Sequence, residues 1–493
     1  MITTKQIQVN KNEFGRVQYL TEVLPEIPTN TILYKKLTGL GATYGEITAK
    51  RNSIIIESNV PVIIGKCNDP KHKDDNLFGV YEGVYTDDIV NYLEKSKNKY
   101  YKILTTPESF QKVKDAFEEL EMSAQCSCFL LFDECHKLVK DADYRNNITL
   151  PIDDFFKFDQ KALVSATPIE LNDPRFKEQN FQTIEIQPTF DYKKEIWLHH
   201  TNNTLQAFKN VLSKLDNEEA APLPICVFIN STDIIYSLMK QLDLLEDSAV
   251  FCAPKSVDKL GRNKFTNAYE QYSIDKMKRY NFFTSRFFNA VDMELEEQPH
   301  VIMLTDVYFA EHTMIDPYTD AIQIVGRFRN GVSSITYISN AKKGLPQRTK
   351  EEIKGYLICS KEIYRTMKNF YDCATDRASR DAYRAALESL PFNKMLDRNG
   401  RENWFAIDNY MDEELMKNYF HDENSLYKAY DNCDSFIVYH AGYYCPLGDS
   451  ERLKRENKSQ SIKDKRKEIV RQLEMLGDCV TEMELEYKRD LVA

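Results

Sequence analysis

The sequence contains no apolar run long enough to cross a bilayer, a task that needs roughly 20 consecutive apolar residues, so a spanning helix and a membrane role are not expected. Its first sixteen residues are polar and hold no apolar segment of the kind a secretory leader requires. Eleven cysteines are present, yet none stands in a CxxC pair, which points to reduced thiols and a cytoplasmic setting, or a host cytoplasm if the source is viral. A basic surplus is missing as well. The 65 Lys and Arg against 76 Asp and Glu leave a net charge of -11, which speaks against a surface coated for bulk binding of nucleic acid. What the chain does have is 493 residues, 42% hydrophobic content, 27 Phe and 29 Tyr, enough for two or three domains with substantial cores.

The most informative stretch runs from Phe129 to Lys137, four apolar residues followed by Asp133, Glu134, Cys135 and His136. A short apolar run bounded by charge reads as a strand buried on both faces, and acids at its carboxyl end fall where open α/β sheets place their ligand sites. In a nucleoside triphosphatase two such carboxylates divide the work: Asp133 would hold Mg²⁺ beside the phosphates and Glu134 would orient and deprotonate the attacking water. The alternative is a buried strand that ends in a solvated acidic turn.

Other strand ends carry polar groups in the same way. Thr31 to Leu37 leads into Thr38-Gly39-Leu40-Gly41-Ala42-Thr43, laid out as a phosphate cradle in which backbone N–H groups wrap phosphates and the Thr43 hydroxyl reaches Mg²⁺. The residue before Thr43 should be Lys and is Ala42, and the candidates to supply the missing cation are Lys35, Lys36 and Lys66. The apolar run Ile54 to Ile56 is followed by Glu57, Ser58, Asn59, Val60 and Pro61; Lys102 to Thr105 by Thr106-Pro107-Glu108-Ser109; and Ala162 to Val164 by Ser165-Ala166-Thr167. Hydroxyl and amide groups at such positions contact phosphates of a nucleic acid or simply cap helices.

Taken in order, these motifs resemble helicase superfamily 2, the DECH-box, DEAD/DEAH-like ATP-dependent helicases, with a degenerate phosphate loop. Later segments extend the resemblance: Pro224 to Asn230 and Ser231, Asn281 to Arg286 with Asp292, and Gln323-Ile324-Val325-Gly326-Arg327-Phe328-Arg329. Arg329 falls one residue earlier than the usual spacing, about 100° around a helix. The resemblance implies an α/β protein of two RecA-like parallel-sheet lobes with a helical carboxyl-terminal domain, divided as a lead-in over 1–30, lobe 1 over 31–190, lobe 2 over 191–345 and the helical domain over 346–493.

It also implies roles. Glu134, Asp133, Arg327, Arg329 and Gln323 would be catalytic. Thr38, Gly39, Gly41, Ala42, Thr43, Lys36, His136 and Asp292 would line an ATP site, with Thr43 and Asp133 on Mg²⁺. Asn59, Thr106, Ser165, Thr167, Asn230, Ser231 and Thr284 would hold DNA or RNA independently of sequence, and His136, Ser165 and Gln323 would couple nucleotide state to lobe closure. The implied activity is ATP hydrolysis driving movement along, or unwinding of, nucleic acid. Long charged helical patterns over Thr349–Asp381, Asp412–Tyr430 and Ser461–Leu491 offer a surface for protein partners, and their many Tyr and Phe either stack bases or pack a helical domain. A rival from another class is a catalytically degenerate, non-hydrolysing scaffold for nucleotide or nucleic acid. Ala42 favours it, while Asp133, Glu134 and Arg327 speak against it. No metal-carboxylate cluster outside the motor motifs supports a nuclease.

Overall fold

The computed structural model describes residues 3–142, 145–217, 222–288, 292–450 and 462–476, together with Leu485 and Lys488. The chain forms two compact units, one made of residues 1–191 with 348–415, the other of 192–347 with 416–493.

The first unit holds eight strands: β1 (Thr3–Val9), β2 (Thr31–Tyr34), β3 (Ser53–Ile56), β4 (Leu77–Val80), β5 (Lys102–Thr105), β6 (Phe129–Phe132), β7 (Gln160–Ser165) and β8 (Gln182–Pro188). They form one parallel sheet in the order β1-β8-β2-β7-β6-β3-β5-β4. Side chains alternate across it, because successive Cβ atoms of a strand point to opposite faces. Leu130 and Phe132 of β6 enter one apolar cluster with Ile54, Ile56 and Leu163, while Phe129 and Leu131 enter another with Ile55, Ala162 and Val164. Both faces being covered, the central strands read as unbroken apolar runs. The register sets Ile56 beside Phe132, so Glu57 and Asp133 emerge side by side at the carboxyl ends.

The second unit repeats the plan with β9 (Lys194–Thr201), β10 (Ile225–Phe228), β11 (Ser248–Phe251), β12 (Ala268–Tyr269), β13 (Tyr280–Phe283), β14 (His300–Thr305), β15 (Ser334–Ser339) and β16 (Phe436–Tyr443). The order is β12-β11-β13-β10-β14-β15-β9-β16, again parallel. Its two faces are likewise packed, Cys226 and Phe228 into one cluster and Ile225 and Val227 into the other. The expected α/β class with two RecA-like sheets is what the chain adopts.

Two expected boundaries shift. The lead-in over 1–30 is part of the first unit: β1 is its edge strand, paired along its length with β8, and Val9, Leu20 and Ile27 join its apolar cluster. The segment 346–493 divides between the units. Helices Lys350–Cys373, Arg377–Ser389 and most of Trp404–Lys417 group with the first, and β16 extends the sheet of the second. The physical reason is visible in the anchors. Phe405 is buried in the first unit's core, Asn172 donates through its backbone N–H and side-chain amide to Asp408 at 3.0 and 2.7 Å, and Lys140 pairs with Asp412 at 2.6 Å. A small satellite core of Ile353, Leu357, Phe392, Met395, Ile407 and Met411, flanked by Tyr364, Trp404 and Tyr410, absorbs several of the aromatics that sequence left open for base stacking. Of the pattern over Ser461–Leu491, the helix Ile462–Leu476 is described and most of the remainder lies outside the described residues.

Candidate active site

Between β2 and the helix Ala42–Thr48 the backbone turns through three left-handed residues, Lys36 at φ +55°, Gly39 at +76° and Gly41 at +81°. Glycine enters that region freely because it has no Cβ, and a tight loop with inward N–H groups needs it. Thr43, in the first turn of the helix, donates its hydroxyl to Asp133 Oδ2. Asp133 is itself buried, and its Oδ1 accepts the backbone N–H of Glu134 at 2.9 Å. The loop and the end of β6 are thereby joined through two hard oxygen donors, a hydroxyl and a carboxylate, which is the chemistry that suits Mg²⁺. Among the described residues no group of three or more His, Cys, Asp or Glu is arranged to hold a metal, and Mg²⁺ bound through one or two side chains plus phosphates needs none.

Glu134 adopts φ +50°, an uncommon conformation for a residue with a side chain and one that clusters at functional sites. Its Oε2 lies 3.2 Å from His136 Nδ1, and the same ring nitrogen lies 3.0 Å from Ser165 Oγ at the end of β7. Ser165 Oγ in turn accepts the backbone N–H of Thr167 at 3.1 Å. The structure therefore brings five sequence-predicted residues, Thr43, Asp133, Glu134, His136 and Ser165, into one connected cluster, with Thr167 behind it. Cys135 points the other way, into the core, where burial raises its thiol far above the ordinary range.

Beside this cluster is a feature that sequence reasoning passed over. Glu57, directly after β3, is buried and takes an ion pair from Lys66 on the helix Val60–Asn68. Burial pushes its carboxyl up to about 7 against the pull of Lys66, with Asp133 and Glu134 pushing the same way as burial. The signal was present, since an acid closing the apolar run Ile54–Ile56 repeats the pattern that drew attention to Asp133.

Ala42 is 2% exposed and packs with Leu20, Ile47, Leu131 and Val164. Thr106 accepts the N–H of Ser109 at 3.3 Å, as a local turn does. Asn59, with its amide oriented to satisfy both ends, accepts from Lys137 Nζ at 2.7 Å and donates to the Ser58 carbonyl at 3.1 Å. Lys36 and Thr38 lie in the loop itself, at its start and before Gly39.

The second unit carries its own cluster. Arg327 donates to Gln323 Oε1 at 2.8 Å and to Asp292 Oδ1 at 3.3 Å, and Arg329 donates to Asp292 Oδ2 at 2.7 Å. The altered spacing thus still lets both guanidinium groups meet one carboxylate. Ser231 caps the helix Thr232–Gln241 by accepting from Ile234 N–H at 3.3 Å, Asn230 donates to the His312 carbonyl at 2.9 Å, and Thr284 donates to the Phe251 carbonyl at 3.4 Å.

No family model matches the chain, and no curated protein matches it. Among solved structures it is similar to Saccharomyces cerevisiae Dbp5 bound to RNA and ADP BeF3, at 14% identity and a TM-score of 0.40, over 79% of this chain and 90% of that one. It is also similar to the Mycobacterium smegmatis helicase Lhr bound to ssDNA and AMP-PNP, at 12% identity and a TM-score of 0.39, over 88% of this chain and 62% of the other. A DEAD box protein from Methanococcus jannaschii matches at 14% identity and a TM-score of 0.32, over 63% and 82%. In its ordered sequence motifs the chain resembles the superfamily 2 helicases, and proteins called helicases and DEAD box proteins are among the solved structures it is similar to.

Proposed function

We propose that this chain hydrolyses ATP and couples hydrolysis to movement along, or separation of, DNA or RNA. The observation that carries the reading is the connected cluster at the carboxyl ends of β6 and β7: Thr43 on Asp133, and Glu134 on His136, which meets Ser165. Each member has work to do there. The loop from Lys36 to Gly41 offers backbone N–H groups to phosphate oxygens. Thr43 and Asp133 are the residues that would hold Mg²⁺, which when bound neutralises charge on the β- and γ-phosphates. Glu134 accepts the proton of the attacking water, and His136 fixes the direction of its carboxylate.

Because His136 is shared between Glu134 and Ser165, a change in the hydrogen bonding of Glu134 during hydrolysis is passed to the loop Ser165–Thr167. In the family this chain resembles, that loop answers to the bound strand. Arg327 is assigned its role from its motif, as the cation that stabilises charge developing on the γ-phosphate; loss of such an arginine lowers turnover by on the order of 10³ to 10⁵. Contacts to the strand through Asn59, Thr106, Thr167, Asn230, Ser231 and Thr284 would be to backbone phosphate and carry no base code.

The non-hydrolysing scaffold is the second reading, favoured by the apolar burial of Ala42 where the phosphate loop usually carries lysine. One assay separates them. Turnover of ATP by the full chain is measured alone, with single-stranded DNA and with single-stranded RNA, beside Glu134→Gln. Turnover that rises with one polymer and disappears in the variant is the expected result; turnover no higher than the variant's, with nucleic-acid binding retained, establishes the scaffold.

A further inference from the structure

A triphosphate brought to the cluster described above meets three carboxylates, Asp133, Glu134 and Glu57, and such a site needs cationic charge close to the phosphates. The loop does not supply it from position 42, because the Ala42 side chain is packed among Leu20, Ile47, Leu131 and Val164. Lys35 and Lys66 both reach the acids. Lys66 is bonded to the buried carboxylate of Glu57, so its charge already has a dedicated counter-ion. Lys35 is placed differently. It directly follows β2, its backbone N–H is held by the Ser165 carbonyl at 2.8 Å, and its side chain is 7% exposed. Its Nζ stands 3.8 Å from Asp133 Oδ1, beyond hydrogen-bond reach, on the carboxylate that already accepts from Glu134 N–H and the Thr43 hydroxyl.

We propose that Lys35 is the cation that contacts the β- and γ-phosphates, acting from the end of β2 in place of the lysine missing at position 42. The inference rests on the nucleotide reading above and names a residue within that site. An ammonium held by an ion pair without a directed hydrogen bond is free to turn toward a more highly charged anion. Lysine suits such a move because it is a compact point charge on a flexible four-carbon stem. Its backbone is fixed in the sheet while its head sits in the same crevice as Thr43, so the phosphates and the ammonium meet without rearrangement of the loop.

The test on the wild-type chain uses an acyl phosphate of ATP, in which a lysine amine near the phosphates attacks the acyl carbonyl and ATP leaves; the acylated lysine is then located by mass spectrometry. Label on Lys35, suppressed by excess ATP, is expected. Alongside it, Lys35→Met should lower kcat/KM by on the order of 10³, the effect of one charge pair at contact distance in a surface-like dielectric. Lys66→Met should lower it less than tenfold and Lys35→Arg should restore part of the loss. Nucleotide binding with label confined to Lys36 or Lys66, or a Lys35→Met enzyme within tenfold of wild type, overturns the assignment while leaving the reading intact. A wild-type chain that neither binds ATP nor takes label removes the reading, and the inference with it.

Discussion

Ala42 illustrates how a single position can be read correctly as a departure and still mislead about its remedy. The sequence invites restoring lysine there, on the view that a cation is missing from the loop. The structure puts that side chain at 2% exposure in an apolar cluster, so an added four-carbon stem and charge must displace Leu20 or Leu131 or turn outward at the cost of the loop. Ala42→Lys is therefore expected to lower stability by about 1–3 kcal/mol in urea unfolding and to give no gain in ATP turnover. A stable and faster variant would show that the pocket at 42 opens. Glu134, by contrast, was legible in kind from its place after an apolar run, but its left-handed backbone was not, since nothing in a Glu-Cys-His series demands φ +50°. Choosing among Lys35, Lys36 and Lys66 was likewise beyond sequence, because Lys35 and Asp133 are brought together only by strands whose order is not written locally.

At the scale of elements, strands β2, β3, β5, β6 and β7 were legible because parallel strands covered on both faces are short apolar runs with polar ends. β1 and β16 were not, being edge strands with half or more of their residues in solvent; β1 is polar along most of its length, and the apolar start of β16, Phe436 to Tyr439, lies far along the chain from the strands it joins. The helix Trp404–Lys417 was expected in a separate domain and instead caps the loop that follows β7, through Asp408 and Asn172. That anchor is sensitive to pH. Burial pushes the Asp408 carboxyl up to about 7, from an ordinary value of 3.8 in the unfolded chain. A carboxyl raised on folding favours the folded state most below the unfolded value, and this advantage falls as pH rises toward 7. Comparing wild type with Asp408→Asn by urea unfolding at pH 5, 6, 7 and 8 should move the difference in the variant's favour by roughly 1 kcal/mol per pH unit up to about 7, and then hold it constant. A difference that does not change with pH would mean that Asp408 stays ionised in the fold.

For the whole molecule, the net charge of -11 bears on how it would hold a strand under the proposed function. With so acidic a balance, affinity on that proposal comes from a few local phosphate contacts, each releasing counter-ions from the polymer. Binding of a single-stranded oligonucleotide, measured by fluorescence anisotropy from 50 to 300 mM salt, should give a log–log slope near -2 to -4, corresponding to about three to five contacts at roughly 0.7 per phosphate. It should also be the same for mixed sequences of equal length. A slope steeper than about -7, or a strong base preference, would contradict the sparse, backbone-directed contacts proposed for Asn59, Thr106 and Thr167.

The division of the chain has a consequence during synthesis. The second unit begins at Tyr192, yet β16, which pairs with β9 along its whole length, ends at Tyr443, and residues 348–415 of the other unit are made in between. A ribosome adding about 5–20 residues per second takes roughly 12–50 s to travel from one strand to the other. Throughout that interval β9 presents an open row of N–H and C=O groups on one side, with Trp197 waiting for the ring of Tyr439 to stack on it. The nascent polypeptide therefore carries an unpaired strand edge, a template for mispairing, until the late strand emerges from the exit tunnel.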